Sequence, residues 1–273
     1  MPRLSGLQKA SKFVTTTNFT LIPKISIQNM RTFQFFVLLC LFAWPSVTFS
    51  IGMYAVGDQL TVHAASGLIL RETPAPTGKK IMTVEMGTLV TVLKEGFRKN
   101  PHSVSPFEGF TIKGFWVKVR IPGGKEGYVF DGYLSKYKTV GSLPNGDDPN
   151  AKDNDATTIQ ERYLMMHADR KGKRIDLGKG ENRYEHYKIL FTNNADLEVN
   201  TGEGGSQYII RFGKETTVEE AYLIGKELWL EDVESLKSTI SKGVITLTSN
   251  DELWEVEVQN KGGIVHLSMS HAD

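Results

Sequence analysis

The sequence predicts a mainly β protein with an α+β second half: a small β-barrel, then an internally duplicated α-β-β-β domain. Three observations lead to this fold class. Short apolar runs bounded by Gly or Pro recur early in the chain, a polar segment rich in Gly, Pro, Asn and Asp follows, and similar motifs then appear twice. We therefore divide the chain into a leader and signal peptide (1–50), a barrel (51–137), a linker (138–156) and a duplicated domain (157–273).

The leader carries the signal for export. Its 50 residues contain five Lys or Arg, no acid, and one apolar run at 33–44. This pattern is typical of a secretory signal peptide, and the run is shorter than the about 20 residues that span a membrane. We predict a true start at Met30, a signal from Met30 to Ser50, and a secreted or periplasmic protein. The alternative is an uncleaved anchor in the inner membrane, which would be the protein's contact with a membrane.

Cysteine usage and charge exclude several classes of function. Cys40 is the only cysteine and lies in the signal, so the mature chain has no disulfide, cysteine nucleophile or thiolate metal site. Residues 51–137 carry a net charge of +4 and residues 138–273 a net charge of −8. Neither value is typical of a nucleic-acid-binding domain. The opposite signs indicate either different partners or a contact between the halves.

The first half reads as short strands separated by turns. The predicted strands lie at 59–64, 67–70, 80–84, 88–93, 115–121 and 126–130. The second strand ends at Arg71-Glu72-Thr73-Pro74, because Pro74 has no backbone N–H to donate. Regular short strands of this kind indicate a small barrel.

Several of these motifs resemble bacterial SH3-type domains found in exported cell-wall proteins. They are GLILRETP at 67–74, VTVL at 90–93, WVKV at 116–119, GYV at 127–129 and YL at 133–134. The resemblance covers residues 54–137 and implies an SH3-like barrel whose second strand leaves the sheet at Arg-x-x-Pro. It also implies peptidoglycan or another cell-wall polymer as partner. The sequence departs from the family at Ile69 (usually Asn), at Tyr128 (usually Trp), and in a long insertion at 94–114 that could cover or reshape a binding groove.

Strand alternation separates two faces of FWVKVRI, residues 115–121. Phe115, Val117, Val119 and Ile121 face the core, so Trp116, Lys118 and Arg120 face outward. Either the insertion packs on Trp116, or Trp116 forms a ligand platform. The predicted ligand-binding residues are Trp116, Lys118, Arg120, Tyr128, Tyr133 and Phe107.

The second half contains a repeat. Thr158 with Glu161 has the spacing of a capping box, and the same signature recurs at 216–220. Matching strand motifs place Ile189 on Ile245 and Leu197 on Leu253, 56 residues apart, and glycines 204–205 on 262–263, 58 apart. We predict two copies of a helix followed by a three-stranded meander. They would join edge to edge, with both helices on one face and a polar face available to a protein partner.

No motif for catalysis emerges. His167, His186, His266 and His271 lack metal-ligand spacing, and neither His-Glu-x-x-His nor Gly-x-Ser-x-Gly occurs. We therefore assign no catalytic residue, metal or cofactor. The predicted function is that of an exported, non-catalytic binding protein. The alternative is a cell-wall hydrolase or transferase with its site in the second half.

Overall fold

The computed structural model describes residues 54–94, 101–143, 158–168, 171–178, 183–229 and 236–272. The leader, the signal peptide and most of the proposed linker lie outside these residues. The described part of the chain is mainly β and contains two α-helices, which confirms the predicted fold class. Neither helix is long and apolar enough to cross a membrane.

The first half forms nine short strands. They are β1 (Gln59–Val62), β2 (Leu68–Arg71), β3 (Lys80–Val84), β4 (Leu89–Lys94), β5 (His102–Phe107), β6 (Phe110–Gly114), β7 (Trp116–Arg120), β8 (Glu126–Phe130) and β9 (Leu134–Ser135). Seven of them form one antiparallel sheet in the order β3-β2-β8-β7-β4-β1-β9, and β5 pairs with β6 as a separate hairpin inside the insertion. Short 3₁₀ turns follow at Asp131–Tyr133 and Val140–Ser142.

The expected closed barrel is not seen in the strand pairing of the described residues. The sheet has two ends, β3 and β9, and these strands do not pair with each other. Strand β9 is only two residues long and pairs with β1. The predicted break after β2 is confirmed. Arg71 ends that strand, and its Nη1 donates to the carbonyl of Gly78 at 2.6 Å, which closes the following loop.

The second half forms two helices and eight strands. They are α1 (Ile159–His167), β10 (Lys171–Asp176), β11 (Arg183–Phe191), β12 (Asp196–Gly202), β13 (Gly205–Arg211), α2 (Val218–Trp229), β14 (Leu236–Ser241), β15 (Val244–Ser249), β16 (Trp254–Lys261) and β17 (Ile264–His271). All eight strands form one antiparallel sheet in the order β10-β11-β12-β13-β17-β16-β15-β14.

This order confirms the duplication and corrects its unit. Each copy is a helix followed by a four-stranded meander, and the copies join edge to edge at β13 and β17. We predicted three strands because β10 and β14, which lie at the two edges, lack the alternating apolar pattern of a half-buried strand. Both helices cover one face. Gln160 of α1 contacts Met269, and α2 approaches Leu267, two residues away on the same side of β17.

The predicted repeat register is wrong. The helix caps Thr158 and Thr217 are 59 residues apart (217 − 158), and the hairpin ladders place Leu197 on Val256, also 59 apart. Leu253 cannot be the counterpart, since Leu197 is fully buried and Leu253 is 43% exposed. The β15–β16 loop is one residue longer than the β11–β12 loop, so no single offset fits both strands of the hairpin. The predicted offset of 56 is three residues short for β12, and an odd error places a side chain on the opposite face of the sheet.

Helix α2 lies between the two sheets. On the side of the eight-stranded sheet it approaches closely at Gly225, where an added Cβ would lie 2.7 Å from Leu267 Cδ1. On its other side, Glu220 accepts a hydrogen bond from Ser135 Oγ of β9 at 2.8 Å. One continuous apolar cluster therefore includes residues from both halves, while the seven-stranded sheet keeps a second core of its own.

Candidate functional site

A groove of about 680 Å³ lies where the first module meets α2. One wall comes from the loop at 63–67 and from β2, another from β7 and β8, and a third from α2. Its volume falls within the about 300–1,000 Å³ of small-ligand pockets. The groove exists only because the two halves pack together.

Aromatic side chains form much of the groove lining. Phe130 lies 6.3 Å from Trp116 and 5.9 Å from Tyr133, measured between ring centroids. Tyr222 of α2 completes the lining from the opposite wall. Such rings bury large apolar areas while keeping a fixed shape, because few torsions need to be ordered.

Trp116 is not the exposed platform that strand alternation suggests. It is 5% exposed, and the imidazole of His102, on β5 of the insertion, lies 5.5 Å from its ring. The Arg71 guanidinium lies 5.9 Å from the indole centroid. Thus the insertion packs on Trp116, as in the first of the two interpretations above, and the remaining indole surface lines the groove.

Two cations line the groove. Arg71 is half-buried, and its Nε is buried without a hydrogen-bond partner among the described residues. Lys226 projects from α2 and forms no ion pair within the part of the chain that the structure describes. A buried donor without a partner costs about 1–3 kcal/mol unless water or a ligand accepts from it.

The carboxylate of Glu227 is held by the first module and by the start of the linker. His63 Nδ1 donates to Oε1 at 2.6 Å, and the backbone N–H of Val140 donates to Oε2 at 3.1 Å. His63 Nε2 lies 2.9 Å from the Tyr137 carbonyl, which can only accept. Both ring nitrogens therefore donate, as in an imidazolium. Burial lowers the pKa of His63, but its hydrogen bond and charge interaction with Glu227 outweigh burial and raise the pKa above its usual value.

Asp131 fixes the turn that carries Tyr133. Its carboxylate accepts hydrogen bonds from the Phe115 backbone N–H and from the Tyr54 hydroxyl, each at 2.6 Å. Burial raises the pKa of Asp131 to about 6, although both hydrogen bonds favour the ionised form. This carboxyl group is fully engaged in holding local structure together.

The structure brings only part of the predicted site together. Trp116 and Tyr133 line the groove, and Phe107 lies close by, 6.0 Å from the Tyr222 ring. Lys118 and Arg120 do not line it; both pair with Glu126, at 3.0 Å and 2.8 Å. Tyr128 faces Arg71 in the β2–β8 ladder and is also outside the groove lining.

Sequence reasoning missed Arg71, Phe130, Lys226 and Tyr222 as groove residues. Arg71 and Phe130 belong to motifs that were recognised, but only as markers of strand ends. Lys226 and Tyr222 come from the other half of the chain. The opposite net charges of the two halves were the one available signal, because they indicated a possible contact.

A second, smaller cavity of about 200 Å³ lies beside α1, and His167 lines it. Burial lowers the pKa of His167 to about 4, and its Nε2 has no hydrogen-bond partner among the described residues. No group of three His, Cys, Asp or Glu in the described ranges is arranged to hold a metal ion.

The outer face of the eight-stranded sheet is polar, and its charges compensate one another. Arg211 bridges Asp196 and Glu198, at 2.7 Å and 2.6 Å, and Lys188 pairs with Asp196 at 3.0 Å. The carboxylate of Glu198 also lies 3.1 Å from His186 Nε2. This network crosses three neighbouring strands and leaves the face close to neutral.

Comparison with known proteins identifies the first module. Residues 66–135 match the family model for the bacterial SH3 domain. This stretch, from the turn before β2 to the end of β9, is therefore a bacterial SH3 domain. Neither a curated protein nor a solved structure matches the chain.

Proposed function

We propose that this chain is an exported, non-catalytic binding protein that docks on peptidoglycan or a similar cell-wall polymer. The bacterial SH3 domain supports this class of ligand, because such modules commonly bind cell-wall material. The observation that carries the proposal is the aromatic groove beside that domain, with its two cations. Peptidoglycan offers peptide stems with free carboxylates, which suit a cationic surface. The polar face of the eight-stranded sheet is proposed to engage a protein partner.

Export follows from the signal proposed between Met30 and Ser50. Its basic start, short apolar run and small residues support cleavage near Ser50, and a protein outside the cytoplasm would meet the cell wall. Sequencing the N-terminus of the protein recovered from its native cells tests this. An intact Met30 segment would overturn cleavage and leave the anchored form.

Cosedimentation of the full-length chain with purified sacculi tests wall binding. We expect the chain to pellet at low ionic strength and to be released as salt is raised, because exposed ionic contacts are screened. Chitin, a polymer that lacks peptide stems, is the matched control. A chain that stays in the supernatant with sacculi at low salt, or that pellets equally with chitin, overturns the proposal.

The surface pair Lys118 and Arg120 tests the site first predicted from the sequence. If that face contributes, the double change Lys118→Gln and Arg120→Gln weakens sacculus binding by a small factor, since exposed ionic contacts contribute about 0.2–1 kcal/mol each. Unchanged binding would exclude this face and leave the groove as the wall-binding surface.

A further inference from the structure

The groove is a composite of two parts of the chain that lie far apart in sequence. Arg71 belongs to β2 of the bacterial SH3 domain, and Lys226 belongs to α2 of the duplicated domain. Neither part alone provides both cations or all of the aromatic lining. A ligand in this groove therefore contacts both halves at once.

The available charge in the groove is positive. Its charged lining residues are Arg71, Lys226, Glu227 and His63. Both oxygens of Glu227 already accept hydrogen bonds, from His63 and from the Val140 N–H, and the side chain is only 6% exposed, so this carboxylate presents little surface to a ligand. Neither Arg71 nor Lys226, by contrast, forms an ion pair among the described residues. Charge complementarity thus favours an anionic ligand.

The rest of the lining selects the kind of anion. Trp116, Phe130, Tyr133 and Tyr222 offer apolar surface, and the turn at 64–67 brings backbone polar groups to the rim. A compact inorganic anion would leave the aromatic lining uncovered. A short peptide can cover the rings with its side chains and still hydrogen-bond to exposed backbone groups.

We propose, resting on the binding function above, that this groove binds a short peptide that ends in a free carboxylate. The apolar side chains of the peptide lie on the aromatic lining, and its carboxylate is held by the cationic lining. Both modules recognise the same ligand molecule. The bacterial SH3 domain is therefore not a separate binding unit attached by a linker, because α2 supplies one wall of the site.

The experiment compares two probes on the full-length chain. The first is acetyl-Ala-Leu-Ala with a free C-terminal carboxylate, and the second is the same peptide with a C-terminal amide. Isothermal titration at low ionic strength gives both dissociation constants, and intrinsic tryptophan fluorescence, to which Trp116 contributes as one of four tryptophans, gives an independent signal. We expect the free acid to bind roughly fivefold tighter than the amide, the ratio that corresponds to about 1 kcal/mol.

Lys226→Gln is the informative variant, because its half-buried side chain packs at the groove and not in the core. We expect it to abolish most of the preference for the free acid. Lys214→Gln, which removes an exposed cation outside the groove, should retain the preference. Thermal unfolding of both variants confirms that they are folded.

The outcomes separate this proposal from wall binding. Equal affinity for acid and amide, no binding of either at millimolar concentration, or a preference that survives Lys226→Gln overturns the composite site, even if sacculi still bind. Acid-selective binding that depends on Lys226 supports the site, even if the chain fails to bind sacculi.

Discussion

Helices α1 and α2 are copies of one another, yet among the described residues only α2 forms a buried ionic link to the first half of the chain, through Glu227 and His63. Both begin with the same cap: Thr158 accepts from the Glu161 N–H, and Thr217 accepts from the Glu220 N–H, each at 3.1 Å. In α2 the capping glutamate, Glu220, has a second role, because its Oε1 accepts a hydrogen bond from Ser135 Oγ of β9. Glu220 therefore belongs to the helix cap and also contacts the first half of the chain.

The next equivalent pair shows the same divergence. Tyr163 of α1 donates its hydroxyl hydrogen bond to the Lys138 carbonyl at 3.1 Å. Tyr222 of α2 packs against Phe107 and Phe110 of the β5–β6 hairpin, with ring centroids 6.0 Å and 5.0 Å away. The tyrosine therefore makes a long-range contact in both copies: in α1 its hydroxyl contacts the start of the linker, and in α2 its ring contacts the first half.

The largest difference between helices α1 and α2 is their length. Helix α1 ends at His167, whereas α2 continues to Trp229. Glu227 is 59 residues after Ala168, which is already the C-cap of α1. The residue that pairs with His63 therefore lies in a turn that the first copy lacks. Duplication supplied two helices that cover one sheet, and the extra turn of the second supplied the contact that builds the groove.

Removing the contact between Glu227 and His63 should have the largest effect on the free energy of unfolding. Glu227→Ala leaves the buried His63 and the Val140 N–H without their acceptor, and its side chain is only 6% exposed. Breaking a buried pair by removing one partner costs about 3–5 kcal/mol, and urea unfolding measures it. Glu219→Ala, on the same helix, is the control and should change stability by less than about 0.5 kcal/mol. A loss at Glu227 no greater than at Glu219 would mean that α2 is no more firmly attached than α1.

A smaller effect should follow when α2 is given a residue from α1. Gly225 corresponds to Met166, 59 residues earlier, and a Cβ at Gly225 would crowd Leu267 and Val256. Overpacking costs about 1–3 kcal/mol, partly offset by about 1 kcal/mol of improved helix propensity. Gly225→Met should therefore lower the free energy of unfolding by about 1 kcal/mol.

The control for this crowding is Lys226→Met, which places the same side chain at the neighbouring position, away from the sheet. It should leave the free energy of unfolding nearly unchanged, since Lys and Met have similar helix propensities. If Gly225→Met is as stable as this control, the two helices tolerate the same spacing from the sheet, and the close approach of α2 is not required.

Local features of the fold could be read from the sequence, but the contacts between distant segments could not. Gly and Pro residues at the strand ends located the strands, and the capping boxes located both helix starts, because these signals depend on residues close together in sequence. Alternation gave Trp116 the correct strand face but could not show that the β5–β6 hairpin covers it. The groove could not be predicted either, because it depends on contacts between distant segments: His63 and Glu227 are 164 residues apart in sequence.

The repeat illustrates a different limit. Letter matching found the duplication, yet it aligned Leu197 with Leu253, which lies in a turn three residues before the structural counterpart Val256. Side-chain direction in a strand reverses at every residue, so a small error in alignment moves a core residue to the surface. Burial, which fixes the pleat, was needed to set the register.

The smallest expected effect concerns two interface histidines, one beside each helix. The pKa of His63, beside α2, is raised by Glu227 despite burial, while burial lowers the pKa of His167, at the end of α1, to about 4. The stabilisation from protonated His63 is complete below pH about 6.5 and is lost as pH rises through the folded-state pKa. That from neutral His167 is complete above pH about 6.5 and is lost as pH falls toward 4.

Because the two pH windows adjoin at about pH 6.5, the two contributions together favour the folded state most near that pH, and the single variants should reveal each part. We expect the advantage of wild type over His63→Gln to shrink as pH rises above about 6.5, and its advantage over His167→Gln to shrink as pH falls below about 6.5. Urea unfolding across this range measures both differences. Slopes of the same sign would contradict the assignment of a charged histidine at α2 and a neutral one at α1, and flat differences would mean that neither protonation state is linked to folding.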